Sequence, residues 1–444
     1  MQTFMTLRPM ERRVFYLLFA SAVLLVAVLL GRLFAPPPSA APTERTARTA
    51  LAPTLDETAA RLRAAVQADP ADADSFALLG LALLQQVRET ADPALYGQAE
   101  SALNEALRLD PQQLDALVGQ GQLALARHDF RAALEWGQQA RDLMPYRAEA
   151  LGILVDAQVE LGEYTAAVES AQAMVDLRPD LASYSRVSYL RELHGDTAGA
   201  IAAMQAAVDA GPPGAEPTAW TQVQLGHLYF NSGDYDRAEA AYNDALAGLP
   251  DFPYARAGLA RVWAARGETG AAIAALEEIA ARLPLPEFLK TLGQLYEITG
   301  RAAEAEQQYD LIRVIQQLNA DSGMNVDLEL ALFEADHGDP AVALDMARRA
   351  YEQRPSIHAA DTLAWANYRA GDYAAAGPLM QEALRLNTQD AQLLYHAGMI
   401  AAARERPAEA RDYLNRALQL NPHFDFVQAE QARGTLAALP ATQN

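Results

Sequence analysis

A six-residue phrase recurs along this chain about every 34 residues, and no other feature restricts its fold so strongly. It reads ALRLDP at 106–111, ARDLMP at 140–145, MVDLRP at 174–179, AVDAGP at 207–212 and ALAGLP at 245–250. It continues as IAARLP at 279–284, IRVIQQ at 312–317, AYEQRP at 350–355, ALRLNT at 383–388 and ALQLNP at 417–422. The first residues step by 34, 34, 33, 38, 34, 33, 38, 33 and 34. A second register runs in parallel. Gly162, Gly195, Gly233, Gly267, Gly300, Gly338 and Gly371 step by 33, 38, 34, 33, 38 and 33. Self-similarity at a fixed period marks a stacked array of one small unit. It overrides the two or three globular domains that 444 residues would otherwise suggest.

From Leu55 onward the chain is Ala-rich, with apolar residues at helical spacing and no strand-like alternation, so the unit is a pair of helices. The glycines fall where each first helix should end, where a left-handed residue turns the chain. The two 38-residue steps predict longer loops at 211–217 and near 319–323. Small pairs recur on the second helices: Ala99/Ala106, Ala133/Ala140, Ala238/Ala245, Ala376/Ala383 and Ala410/Ala417. The unit at 218–250 carries Leu225-Gly226, Tyr229, Ala238, Tyr242, Ala245 and Pro250. In this it resembles the tetratricopeptide repeat family. It departs at the family's tryptophan, where Gln222 stands, with Trp220 two residues earlier. The resemblance implies an all-α, right-handed α-solenoid of about ten helical hairpins over residues 73–422. The first unit has an extra stretch near 88–94. A capping helix is expected within 55–72 and a second, with a tail, within 423–444.

The N-terminus differs in kind. Residues 14–30 are an unbroken apolar or small run, VFYLLFASAVLLVAVLL. As a helix, residues 14–34 would span roughly 32 Å, enough for a hydrocarbon core. A signal-anchor transmembrane helix is the leading reading. A cleaved signal peptide ending near Ser39-Ala40-Ala41 and a buried core helix are the alternatives. Arg8, Arg12 and Arg13 favour a cytoplasmic residue 1–13 segment, while Arg32, Arg45 and Arg48 weaken that bias. Residues 35–54, rich in Pro and Ala, form a stiff spacer.

Charge narrows the function. The formal net charge is −22. Residues 1–50 hold six Arg and two Glu, so the remainder stands at −26 and would repel nucleic acid. Only Lys290 among the basic residues is a lysine, and there is no cysteine. The seven histidines do not cluster with carboxylates, and no phosphate loop or nucleophile elbow occurs. The expectation is a binding protein without catalytic residues, metal or cofactor.

In the resembled family the first helices line a concave groove that accepts peptides or partner helices. The positions expected there are Tyr189, Trp220, His227, Phe230, Tyr254, Arg261, Lys290 and Gln294, then His358, Trp365, Tyr368 and Tyr395. Aromatic residues beside Arg suit a protein-binding hot spot, though each position could also pack between neighbouring helices. Trp136 and Trp263 fit the core better. Some family members grip a peptide carboxylate with spaced Lys and Asn; Lys290 alone does not reproduce that clamp. The expected partners are proteins, presented as a helix or an extended apolar segment, and the membrane through the N-terminal helix. Two settings follow. The repeats either hang outside the inner membrane and help to assemble a cell-envelope complex, or face the cytoplasm and regulate a membrane enzyme or protease.

Overall fold

A computed structural model describes residues 55–90 and 92–440. The expected transmembrane helix at 14–34, the segments flanking it and the last four residues lie outside the described residues. Among those described, no helix is long and apolar enough to cross a membrane.

The described residues form 22 helices and no strand. The chain divides into two compact units, with the division at Leu154/Val155. The described part of the first holds a lone helix, α1 (Leu55–Ala68), then α2 (Ala73–Thr90), α3 (Leu95–Leu109), α4 (Leu114–Ala126) and α5 (Phe130–Leu143). The division falls within α6 (Ala148–Glu160). The second unit continues with α7 (Tyr164–Leu177), α8 (Leu181–Leu193), α9 (Thr197–Ala210), α10 (Glu216–Asn231), α11 (Tyr235–Gly248), α12 (Pro253–Ala265) and α13 (Thr269–Arg282). Then come α14 (Pro286–Ile298), α15 (Ala302–Asp321), α16 (Asp327–His337), α17 (Pro340–Gln353), α18 (Ile357–Arg369) and α19 (Tyr373–Ala383). The last are α20 (Ala391–Ala403), α21 (Pro407–Leu420) and a final lone helix, α22 (Gln428–Ala438). From α2 to α21 the helices pair into ten hairpins, the α-solenoid arrangement that the repeat period predicts.

Local chemistry explains the hairpin. The first helix ends on a left-handed residue, and the next residue caps the second helix. Gly195, Gly233 and Gly371 have φ of 98°, 76° and 84°. Asp196, Asp234 and Asp372 follow them and accept from backbone N–H groups of Gly199, Arg237 and Ala375 at 2.7, 3.1 and 2.9 Å. Such a cap stabilises a helix by about 1 kcal/mol. His128 and Glu405 hold the same turn position with φ of 59° and 58°. Gly338 does not: its φ is −136°, and the Asp339 after it, restricted by Pro340, is extended with ψ of 117° where the sibling aspartates have 72–77°.

First helices are buried nearly all round; every residue of α4 from Ala116 to Ala126 is buried. Second helices bury only a stripe, such as Ala343, Ala347 and Ala350 of α17. Successive first helices pack around one large side chain from the second helix between them. A Cβ on Gly226 would stand 2.4 Å from the Tyr242 ring, and one on Gly258 2.5 Å from it. Tyr242 is fully buried. Gly293 makes the same room for Tyr309, and in the first unit Gly80 and Gly119 make it for Leu103. Glycines on the first helices thus let neighbouring hairpins stack closely around one side chain.

Within the second unit the stack curves enough to bring distant hairpins together. The Tyr164 hydroxyl accepts from the backbone N–H of Ile357 at 2.8 Å, and Thr388 donates to the carbonyl of Leu193 at 2.6 Å. Asn421 donates to the carbonyl of Phe230 at 3.0 Å and accepts from the Tyr235 hydroxyl at 2.7 Å. A Cβ on Gly162 would lie 2.5 Å from the Pro355 carbonyl. Contacts over nearly 200 residues of sequence close the array into a turn.

One expected loop is helical instead. Residues 319–321 extend α15 to 20 residues, because nothing in the preceding run interrupts a helix before Gly323, with φ of 84°. The other insertion is an open connection between α9 and α10. At the C-terminus, residues 423–427 form a turn before α22 rather than its first helical turns.

Gly226→Ala should force Tyr242 out of its slot. Overpacking of this kind costs about 1–3 kcal/mol, against a gain of about 1 kcal/mol from helix propensity. With a bulky ring and a buried helix as the obstacles, the upper part of that range applies and a net loss of up to about 2 kcal/mol is expected in denaturant unfolding of the chain; a raised midpoint would count against the wedge.

Candidate functional site

Three successive first helices of the second unit, α10, α12 and α14, present one wall. Against it lies a partly open cavity of about 110 Å³. Its lining includes His227 from α10, Tyr254 and Arg261 from α12, and Lys290 and Gln294 from α14. Five of the expected groove residues therefore converge on one space. Trp220 and Phe230 stand behind them. Trp220 meets Tyr254 edge-on, with ring centroids 4.8 Å apart. Phe230 is fully buried beneath the Arg261 guanidinium, which lies 4.1 Å from its ring centre.

The other expected residues lie in separate clusters. Trp365 is 1% exposed and stacks on Tyr368 and His396, and its indole N–H donates to Asp336 at 2.8 Å. Tyr395 and Phe424 pack in the same core. Tyr189 is half-buried against the cluster around Tyr164 and Leu190, and His358 is half-buried on α18. Trp136 and Trp263 are half-buried rather than enclosed.

The C-terminal turn adds a carboxylate that the expected capping helix within 423–444 hides. Asp425 is buried and accepts from the Lys290 ammonium at 3.1 Å and the Gln294 amide at 2.6 Å. It also caps α22 through the N–H groups of Val427 and Gln428. Burial alone would raise its pKa. The Lys290 charge and these donors outweigh that and hold the carboxyl well below the usual carboxylate range. So Lys290 is engaged by the chain itself. Gln392 also reaches the cavity, and its amide donates to Gln428 at 2.8 Å.

Sequence reasoning misses Glu287 and Phe288 on α14, and Glu329 and Phe333 on α16, which also line the cavity. Glu287 sits in the first turn of α14 beside Pro286, where an acidic residue reads as an ordinary helix start. Its Oε1 is enclosed and has no hydrogen-bond partner. Desolvation pushes its pKa up to about 8, so the folded chain holds it protonated at neutral pH. His227 behaves in the opposite sense. Burial and the Arg261 charge lower its pKa to about 3, so the imidazole paired with the Tyr242 hydroxyl at 2.7 Å stays neutral. No group of His and carboxylates among the described residues could hold a metal ion.

The raised pKa of Glu287 has a sign that can be checked. Between its ordinary value near 4.5 and about 8, the folded chain keeps a proton that the unfolded chain releases, so stability falls as pH rises through that window. Glu287→Gln removes this loss. Its thermal midpoint should match wild type near pH 4.5 and exceed it at pH 8, by on the order of 4 kcal/mol of stability. Parallel melting curves at the two pH values would contradict the enclosed carboxyl.

Comparison with known proteins follows the same geometry. Tetratricopeptide repeat profiles match residues 94–148, 154–215, 229–295 and 362–423, together more than half of the chain. Cellulose synthase 1 operon protein C of Komagataeibacter xylinus is 24% identical over 312 residues. That stretch is 69% of this chain and 19% of the relative, so the chain spans about a fifth of that protein. Among solved structures, the Cut9–Hcn1 hetero-tetramer of the APC/C aligns over 87% of this chain and 93% of its own, at 14% identity and a TM-score of 0.37. A tetratricopeptide repeat protein from Parabacteroides merdae aligns over 62% and 97%, at 19% identity and a TM-score of 0.33. With its repeat period, its ten hairpins and the profile matches over more than half of its length, the chain belongs to the tetratricopeptide repeat family.

Proposed function

We propose that this protein is a membrane-anchored scaffold that binds partner proteins at the wall formed by α10, α12 and α14. It carries out no catalysis of its own. Its partners belong to a complex assembled in the cell envelope. One observation carries the reading: side chains from three successive first helices converge on a single cavity with aromatic, charged and amide groups, the composition of a binding hot spot. The apolar run at 14–30 supports anchoring, and the basic residues before it favour an extracytoplasmic position for the repeats. The relative named for a cellulose synthase operon is in keeping with work beside polymer-making machinery.

The cavity is too small for a helix. At roughly 10–15 Å³ per water it holds about eight waters' worth of space, which suits one long side chain as an anchor. A partner segment would lie across the wall and insert one residue.

Crosslinking the full chain in solubilised membranes, followed by mass spectrometry, tests this. Tyr254→Ala should reduce the yield of the captured partner at least tenfold, the loss of about 1.4 kcal/mol or more expected at a hot spot. Tyr146→Ala, which alters a residue 82% exposed on another surface, should leave it unchanged. Equal capture by both variants would place the partner elsewhere. A reporter fused to the C-terminus and active only outside the cytoplasm fixes the orientation; silence there would overturn the envelope setting.

A further inference from the structure

The connection between α5 and α6 is apolar at its outermost point, where its counterparts are polar. Residues 143–146 read Leu-Met-Pro-Tyr, and all four are exposed. Leu143 is 40% exposed, Met144 46% and Tyr146 82%. The repeat puts Asp110 and Gln112 at the positions of Met144 and Tyr146 in the preceding connection, and Arg178 and Asp180 in the following one. The hairpin does not use the tip for packing: the buried residues flanking it are Ala140 on α5 and Ala148 and Ala150 on α6. Arg141 and Arg147 stand on either side, and carboxylates neutralise both. Asp142 lies 2.8 Å from Arg141, and Asp115 and Glu149 lie 2.6 and 2.7 Å from Arg147. The tip therefore gains no net positive charge. An anionic surface would not attract it; an apolar medium would.

The tether brings such a medium within reach. The described residues of the first unit begin at Leu55, and residues 35–54 join them to the run read above as the membrane anchor. That segment spans at most roughly 70 Å even when fully extended. The alternating helices put the start of α1 and the tip on opposite edges, one helix length of about 21 Å apart. Four helix spacings of about 10 Å add at most about 40 Å sideways, so the two points lie within about 45 Å of each other. The tip can therefore touch the bilayer without straining the tether. Tethering also makes the contact intramolecular, so three side chains too few to recruit a free protein can hold one that does not leave.

Resting on the anchor in the reading above, we propose that the Leu143–Tyr146 tip inserts into the bilayer from which the chain is tethered. Leu143 and Met144 enter the acyl boundary. Tyr146 sits at headgroup level, where an amphipathic ring has an apolar and a polar side. The arginine heads stay in water with their carboxylates. The first unit is then held to the membrane at two points rather than one.

The chain has no cysteine, so a single probe can be placed alone. Pro145→Cys carries a nitroxide at the tip and leaves Leu143, Met144 and Tyr146 in place. Pro111→Cys carries it at the equivalent polar turn, which is also exposed. Each full chain is reconstituted into phosphatidylcholine vesicles. Electron paramagnetic resonance then compares collisions of the label with oxygen, which concentrates in the bilayer, and with a water-soluble nickel chelate. At 145 oxygen should prevail by about threefold or more, as for a group about 5–10 Å into the headgroup and acyl boundary. At 111 the order should reverse. Adding Met144→Ser and Tyr146→Ser to Pro145→Cys should return that label to the value at 111. A water-like reading at 145, equal readings at the two sites, or a bilayer-like reading that survives both serines would each overturn the proposal. Anchoring is read separately on the same vesicles. A chain stripped off by alkaline carbonate refutes the anchor, and a retained chain with a water-like tip refutes the docking alone.

Discussion

The separation of neighbouring first helices is set by Tyr242, and much else follows from that distance. The ring fills the space between α10 and α12, and it fits only because Gly226 and Gly258 have no side chain. The stack curves, and hydrogen bonds between distant hairpins record it. In the second unit the curvature brings the turn after α6 to the segment before α18, and the end of α10 to the end of α21. The cavity lies where the wall of α10, α12 and α14 faces the later helices. Close packing of one aromatic ring thus places the binding chemistry.

The join is polar as well as packed. Arg354, Glu160 and Glu329 are all nearly inaccessible, with the guanidinium 2.9 Å from Glu329 and 3.5 Å from Glu160. Buried charges of this kind add little net stability against an apolar core, but they penalise every register in which they are unpaired. Asn421 works similarly on the carbonyl of Phe230 and the hydroxyl of Tyr235. Asp425 does so on Lys290 and Gln294. The expected concave groove is therefore partly lined by the chain's own C-terminal turn, beside a small, partly open cavity.

Periodicity made the architecture legible. Repeats 33 to 38 residues apart gave the hairpins, the turn glycines and the order of helices, because each depends only on residues within one unit. It placed His227, Tyr254, Arg261, Lys290 and Gln294 on one wall for the same reason: equivalent positions of stacked units share a face. Other features escaped. Gly338 looks like its fellows until Asp339 and Pro340 impose an extended turn. The insertion near residue 319 carries no helix breaker, so it lengthened α15 instead of forming a loop. Asp425 met Lys290 and Gln294 through contacts set by curvature, and the repeat pattern carries no information on curvature. Trp365 and Phe230, for the same reason, ended inside the packing rather than on an open surface.

A repeat array whose units touch only their neighbours melts piecemeal, each hairpin adding its own increment, with fraying at the ends. The hydrogen bonds from Tyr164 to Ile357 and from Asn421 to Phe230 change that bookkeeping for residues 155–444. They give the late hairpins a stake in the early ones, so loss of either margin weakens both. They also raise the average sequence separation of contacts, which slows folding relative to an open array of equal length. On the ribosome, α14 would emerge long before residue 425. For that interval Lys290 has no carboxylate to hold, and the wall is bare.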